Sequence, residues 1–186
     1  MPLDFDGNDV LEYKKNLSVF IETGTANGDG VKVALNLGFD KIYSIELSES
    51  LYSQCKSRFA GKDNVHLICG SSEVELPKLL ETIDEPFLLW LDAHASGGPY
   101  ISEFMDLYLP KEISSIIKFS DKFKDSVIMI DDMNYFKDAD IKLDSGKSTF
   151  EWCLEIESLV KKLKPNGHIQ YHQSNGEAKS LILVNK

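Results

Sequence analysis

The sequence predicts a doubly wound α/β domain: a mostly parallel, seven-stranded sheet with helices on both faces, closed by a C-terminal antiparallel hairpin. Three observations carry this. Five short apolar runs rich in Val, Ile, Phe and Tyr recur with little polar alternation, as strands buried on both faces do. Amphipathic helical spacings separate them, so consecutive strands are joined by right-handed crossovers and run parallel. The end of the chain breaks this alternation with two β-rich runs around a tight turn.

Taken in order, residues 1–16 form an N-terminal extension, and LSVFIE (17–22) is the first strand. A glycine-rich turn leads into the first helix and then to KIYSIE (41–46). Leu51, Cys55 and Phe59 follow at i, i+4 and i+8, one face of a helix, before NVHLIC (64–69). Leu76, Leu79, Leu80 and Ile83 repeat the pattern before PFLLWLD (86–92), and Ile113, Ile116 and Ile117 repeat it before SVIMIDD (126–132). A last helix carries Trp152, Ile156, Leu159, Val160 and Leu163; Lys161, Lys162 and Lys164 suit its C-terminus, and Pro165, Asn166 and Gly167 stop it. GHIQYHQ and SLILV, around Asn175-Gly176, make the hairpin. Residues 93–108 and 133–148 fit no element and follow the C-terminal ends of strands, where open α/β sheets bind ligands; they are read as substrate loops.

A chain of 186 residues buries one sizeable core, so 1–186 is read as a single domain. Thirty acidic residues against twenty basic ones, a formal charge of −10, repel phosphate backbones and argue against nucleic acid as a partner. No basic-then-apolar leader opens the sequence and no apolar run approaches a membrane span, so a cytoplasmic protein with no membrane partner is expected. Cys55, Cys69 and Cys153 are far apart in apolar-periodic segments and are read as buried free thiols. Trp90 and Trp152 are read as core, and His66, His168 and His172 as structural.

The turn FIETGTANGDG (20–30) sets Gly24, Gly28 and Gly30 directly after an acid, Glu22. Such glycines either serve a bare structural turn or let the backbone pass close to a ligand. The next strand ends in Glu46, whose carboxylate can accept hydrogen bonds from ribose hydroxyls, so an adenosine-containing ligand leads. A pyrophosphate wants no negative charge at the turn, yet Glu22 and Asp29 stand there with no Lys or Arg in the loop. The charge pattern therefore suits a ligand with a cationic end.

In their order along residues 17–184, FIETGTANGDG, IYSIELSESLYSQCKSRF, NVHLICGSS and PFLLWLDAH resemble the class I S-adenosylmethionine-dependent methyltransferases, which are Rossmann-like. The resemblance implies S-adenosyl-L-methionine held by Glu22, Gly24 and Gly28 around its methionine part and by Glu46 at its ribose. Thr23, Leu47, Ser71, Ser72 and Asp92 complete the implied cofactor set. Ser72 reads equally as the N-cap of the following helix.

Asp92 ends the fourth strand and Asp131-Asp132 the fifth, so three acids meet at the ligand edge of the sheet. Clustered carboxylates repel unless a cation joins them, and all-oxygen ligands suit Mg²⁺ or Mn²⁺. Acids at strand ends also cap helices and solvate loops. The pattern is similar to metal-dependent O-methyltransferases of the catechol type and to sugar O-methyltransferases of the macrocin group. His94, two residues past Asp92, is a general base, a metal ligand or a loop histidine bonded to backbone. WLDAHASGGPY (90–100) resembles segments of small methyltransferases encoded with glycan-building genes, which implies a glycan or small-molecule acceptor with Tyr100 stacked on a sugar ring. The expected activity is methylation of a sugar hydroxyl, for example on a deoxyhexose such as rhamnose, in glycan biosynthesis. An NAD-dependent nucleotide-sugar oxidoreductase or epimerase, a nucleic-acid methyltransferase and a non-catalytic cofactor-binding module are the rival readings.

Overall fold

The computed structural model describes residues 7–93, 105–131, 133, 146–174 and 177–185. Its elements run α1 (Gly7–Lys14), β1 (Val19–Thr23), α2 (Asp29–Asn36), β2 (Lys41–Glu46), α3 (Glu49–Arg58), β3 (Val65–Cys69), α4 (Ser72–Thr82) and β4 (Phe87–Leu91). Then come α5 (Met105–Ile116), continued by a 3-10 segment (Ile117–Phe123), β5 (Val127–Ile130), α6 (Thr149–Leu163), β6 (Gly167–Ser174) and β7 (Glu177–Asn185). The order across the sheet is β3-β2-β1-β4-β5-β7-β6. Strands β1 to β5 are parallel, and β7 runs antiparallel to both β5 and β6. This is the sheet with a closing hairpin that the sequence predicts.

Period-two alternation divides the core. Val19 and Ile21 of β1, with Leu89 and Leu91 of β4, face a layer built from Leu76 and Leu80 of α4, Leu109 and Ile113 of α5, and Trp152 and Ile156 of α6. Phe20, Leu88 and Trp90 face the opposite layer, with Val31 and Ala34 of α2 and Cys55 of α3. Helices thus cover both faces, which is why the strand sequences are apolar throughout. Both tryptophans are buried, as expected.

Three details differ from the sequence reading. The N-terminal extension contains a helix, α1, that adds the buried Val10 and Tyr13 to the second layer. A short segment with two core residues carries too little periodicity to be read. Cys69 is exposed, because β3 is an edge strand whose end leaves the core, whereas Cys55 and Cys153 are buried. The N-cap of α4 is Ser71 rather than Ser72, and its side chain makes no capping bond.

The chain leaves β1 toward β2 and β3 and returns to β4 on β1's other side. Neighbouring crossovers at β1 and β4 therefore diverge, which opens a crevice at their C-terminal ends. Among the described residues no helix is long and apolar enough to cross a membrane.

Candidate functional site

The glycine turn lies at this crevice. Gly24 has φ +82°, and a Cβ there would stand 2.6 Å from the backbone carbonyl oxygen of Asp92. Only a glycine lets the turn after β1 pass so close to the exit of β4. Gly30 opens the first turn of α2, where a Cβ would stand 1.7 Å from Glu22 Oε1. The space that a side chain would fill is occupied by the acid.

Glu22 is buried against the turn, not exposed in the crevice. Ser44 Oγ donates to Glu22 Oε2 at 2.6 Å, and the Thr25 hydroxyl lies 2.6 Å from Ser44 Oγ. Burial pushes the Glu22 carboxyl up to about 8, opposed by the Ser44 hydrogen bond and reinforced by Glu46 and Asp29. At neutral pH Glu22 is thus mostly a neutral acid that supports the turn from within.

Glu46 organises three turns at once. Its Oε2 accepts from Ala26 N and its Oε1 from Ser48 N, both at 2.8 Å, while its backbone carbonyl accepts from Gly70 N at 2.9 Å. The carbonyl of Ile45 just before it accepts from Gly24 N at 2.9 Å. With one amide on each oxygen, the carboxylate keeps further lone pairs for a vicinal diol.

Helix α3 fastens the turn from outside, a contact the sequence does not reveal. Arg58 donates to the carbonyl of Asn27 and pairs with Asp29 at 3.1 Å, and Cys55 Sγ donates to the carbonyl of Ala26 at 3.3 Å. The Phe59 ring packs 2.5 Å from where a Gly28 Cβ would stand. The chain's single Arg therefore balances the acid that the loop itself leaves unpaired. The charge argument for a cationic ligand loses force, since burial raises the pKa of Glu22 and Arg58 pairs with Asp29.

Asp92 and Asp131 follow directly on the ends of paired strands, where Leu91 and Ile130 are register partners. The amide of Asp92 donates to Thr23 O and that of Asp131 to Leu91 O, at 3.2 and 3.1 Å, so both residues are fixed at the crevice by backbone bonds. His94, Tyr100, Asp132 and most of both substrate loops lie outside the described residues. Among the described residues no group of three His, Cys, Asp or Glu side chains is arranged to hold a metal ion. His66 is in β3, stacked on Tyr43 at 5.0 Å, and His168 and His172 are in β6.

Leu47 is 44% exposed just past Glu46, and Val74 is 47% exposed in the first turn of α4. Both are apolar side chains at the C-terminal ends of adjacent strands, β2 and β3. Val74 escapes the sequence reading because one apolar residue off a helix's buried stripe carries no signal by itself.

This sheet order is that of the class I S-adenosylmethionine-dependent methyltransferase fold. Solved structures of similar fold include an O-methyltransferase from Bacillus cereus in complex with SAH, at TM-score 0.74 and 16% identity over 100% of this chain and 83% of that one. Another is the O-methyltransferase TomG from Streptomyces achromogenes, involved in tomaymycin synthesis and solved with SAM, at TM-score 0.69 and 15% identity over 97% and 79% of the two chains. A putative rRNA-methylase from Clostridium thermocellum matches at TM-score 0.62 and 13% identity over the whole of both chains. No family model and no curated protein matches the chain by sequence.

Proposed function

We propose that the protein is an S-adenosylmethionine-dependent O-methyltransferase that uses a divalent cation and methylates a hydroxyl of a sugar in a glycan. The observation that carries this reading is Glu46, a carboxylate at the end of β2 whose two oxygens each take one backbone amide at the crevice. A ribose presents two adjacent hydroxyl donors to such a group. Gly24 supports it by bringing the turn against the exit of β4, leaving no side chain in the way. Ser71, uncommitted as a cap, and the exposed Leu47 and Val74 suit a flat heterocycle between them. Similarity to O-methyltransferases solved with SAM or SAH points the same way.

S-adenosylmethionine, when bound, supplies a methyl group on a sulfonium. Asp92, Asp131 and Asp132 would hold Mg²⁺ or Mn²⁺ through oxygen, and a cation there lowers the pKa of an acceptor hydroxyl. His94 would accept the proton of the acceptor hydroxyl as its oxygen gains the methyl group and the S–CH3 bond of the donor breaks, leaving S-adenosylhomocysteine. Positioning does most of the work, since near-attack alignment can supply roughly 7–11 kcal/mol. A net charge of −10 favours neutral sugars over polyanionic acceptors.

Calorimetry with S-adenosylmethionine and with NAD, each with and without Mg²⁺ or Mn²⁺, tests the reading. Binding of the methyl donor alone is expected, whereas binding of NAD alone points to redox chemistry. With sugar acceptors, Asp92→Ala is expected to lower turnover ~100-fold or more and leave donor affinity within a few-fold. Full activity in that variant overturns the metal assignment.

A further inference from the structure

We propose that the outward face of α6 is a docking surface for a second copy of this chain, whose own α6 lies antiparallel on it. Phe150 is 59% exposed and Leu154 50% exposed, one helical turn apart on α6. The other exposed large apolar side chains among the described residues, Leu11, Leu47 and Val74, stand on separate elements. An apolar side chain exposed singly is ordinary, but a pair at i and i+4 makes a continuous apolar spot. Next to it, toward the C-terminus of the helix, is a groove of about 440 Å³ lined by Leu154, Glu157, Ser158, Lys161 and Lys162. The inner face of α6 is already taken, since Trp152, Ile156, Val160 and Leu163 belong to the core.

Charge selects the occupant. The N-terminal half of α6 carries Glu151, exposed, and Glu155, partly exposed beside its partner Lys147. The last turn carries Lys161 and Lys162, both exposed and without an ion pair among the described residues. In a parallel pair of such helices acids would face acids and lysines would face lysines. Turned antiparallel, each acidic half lies along the basic half of the other copy, and the two helix dipoles oppose favourably. A net charge of −10 makes copies of this chain repel in most orientations, so association needs a face where opposite charges meet. This contact is isologous and closes at two copies. With the two-fold axis crossing the helix near Ile156, its midpoint, Phe150 of each copy reaches the other's groove beside Ser158 and Lys162, and Glu151 of each meets the other's Lys161. A pair of helices about 22 Å long is a small contact, so micromolar, salt-sensitive association is expected.

Sedimentation velocity of the full chain from about 5 to about 500 µM reads the state of association. At low salt the wild type is expected to pass from one chain to two across that range, and about 0.5 M salt to raise the dissociation constant several-fold. Leu154→Glu is expected to remain a single chain throughout. So are Lys161→Glu with Lys162→Glu and, in a second protein, Glu151→Lys with Glu155→Lys, each on its own. An equal mixture of those two proteins is expected to pair, because opposite charges then meet at both ends of the contact. Circular dichroism checks that each variant is folded. Phe150→Ser replaces Leu154→Glu if that variant is not, and the single reversals Lys162→Glu and Glu155→Lys replace the double ones. A wild type that stays single at every concentration overturns the proposal, as does a pair that Leu154→Glu leaves intact. Charge variants that pair on their own, or a mixture of them that does not, overturn the antiparallel arrangement. The readout needs no ligand, so failure of the functional reading leaves it unaffected.

Discussion

Glu22 couples the glycine turn to pH. Its folded pKa of about 8 lies above the ordinary carboxylate value, so the native state holds the proton more tightly than the unfolded chain. That contribution to stability is complete at acidic pH below the ordinary value and is lost as pH rises toward 8. Glu22→Gln, neutral throughout, is therefore expected to flatten the fall in Tm across that window; an unaltered pH profile of Tm would count against a buried, protonated Glu22. Gly30 is bound to the same residue by space. Gly30→Ala is expected to destabilise by roughly 1–3 kcal/mol through overpacking. Adding Glu22→Ala should recover part of that loss, because the new methyl group then has room, and strictly additive losses would show that the two sites do not touch.

Among the elements, α3 is the clamp of the turn and α6 the best-defined helix start. Arg58 and Asp29 are partly exposed, so Arg58→Ala is expected to cost about 1 kcal/mol or less in urea unfolding. Its larger effect is on the turn, with SAH affinity falling several-fold in calorimetry; unchanged affinity would show that the turn holds its shape without α3. At α6, Ser148 Oγ accepts from Glu151 N while Glu151 Oε2 accepts from Ser148 N, a reciprocal capping box. Ser148→Ala is expected to cost ~1 kcal/mol, read as a lower urea midpoint with unchanged slope.

Across the whole molecule, both apolar layers are built on one sheet, so neither retains its inner face when the other is lost. Denaturant unfolding is expected to be a single transition by fluorescence and circular dichroism; two resolved transitions would mean that the layers are separately stable.

The sequence by itself determined the strands, the parallel order with its closing hairpin, and the crevice-edge identities of Gly24, Glu46 and Asp92. Those features are written in neighbouring residues: unbroken apolar runs, helical spacings and an acid at a strand's end. Only the tertiary structure decided what these residues do for one another. It buried Glu22 beneath Gly30 and brought Arg58 onto Asp29. Each of those pairings joins residues distant in the chain, and no local period carries the crossover geometry that brings them together. The argument from Glu22 and Asp29 to a ligand with a cationic end lost force for the same reason: burial and a partner from another helix set a group's charge, and neither is visible from the loop that contains it.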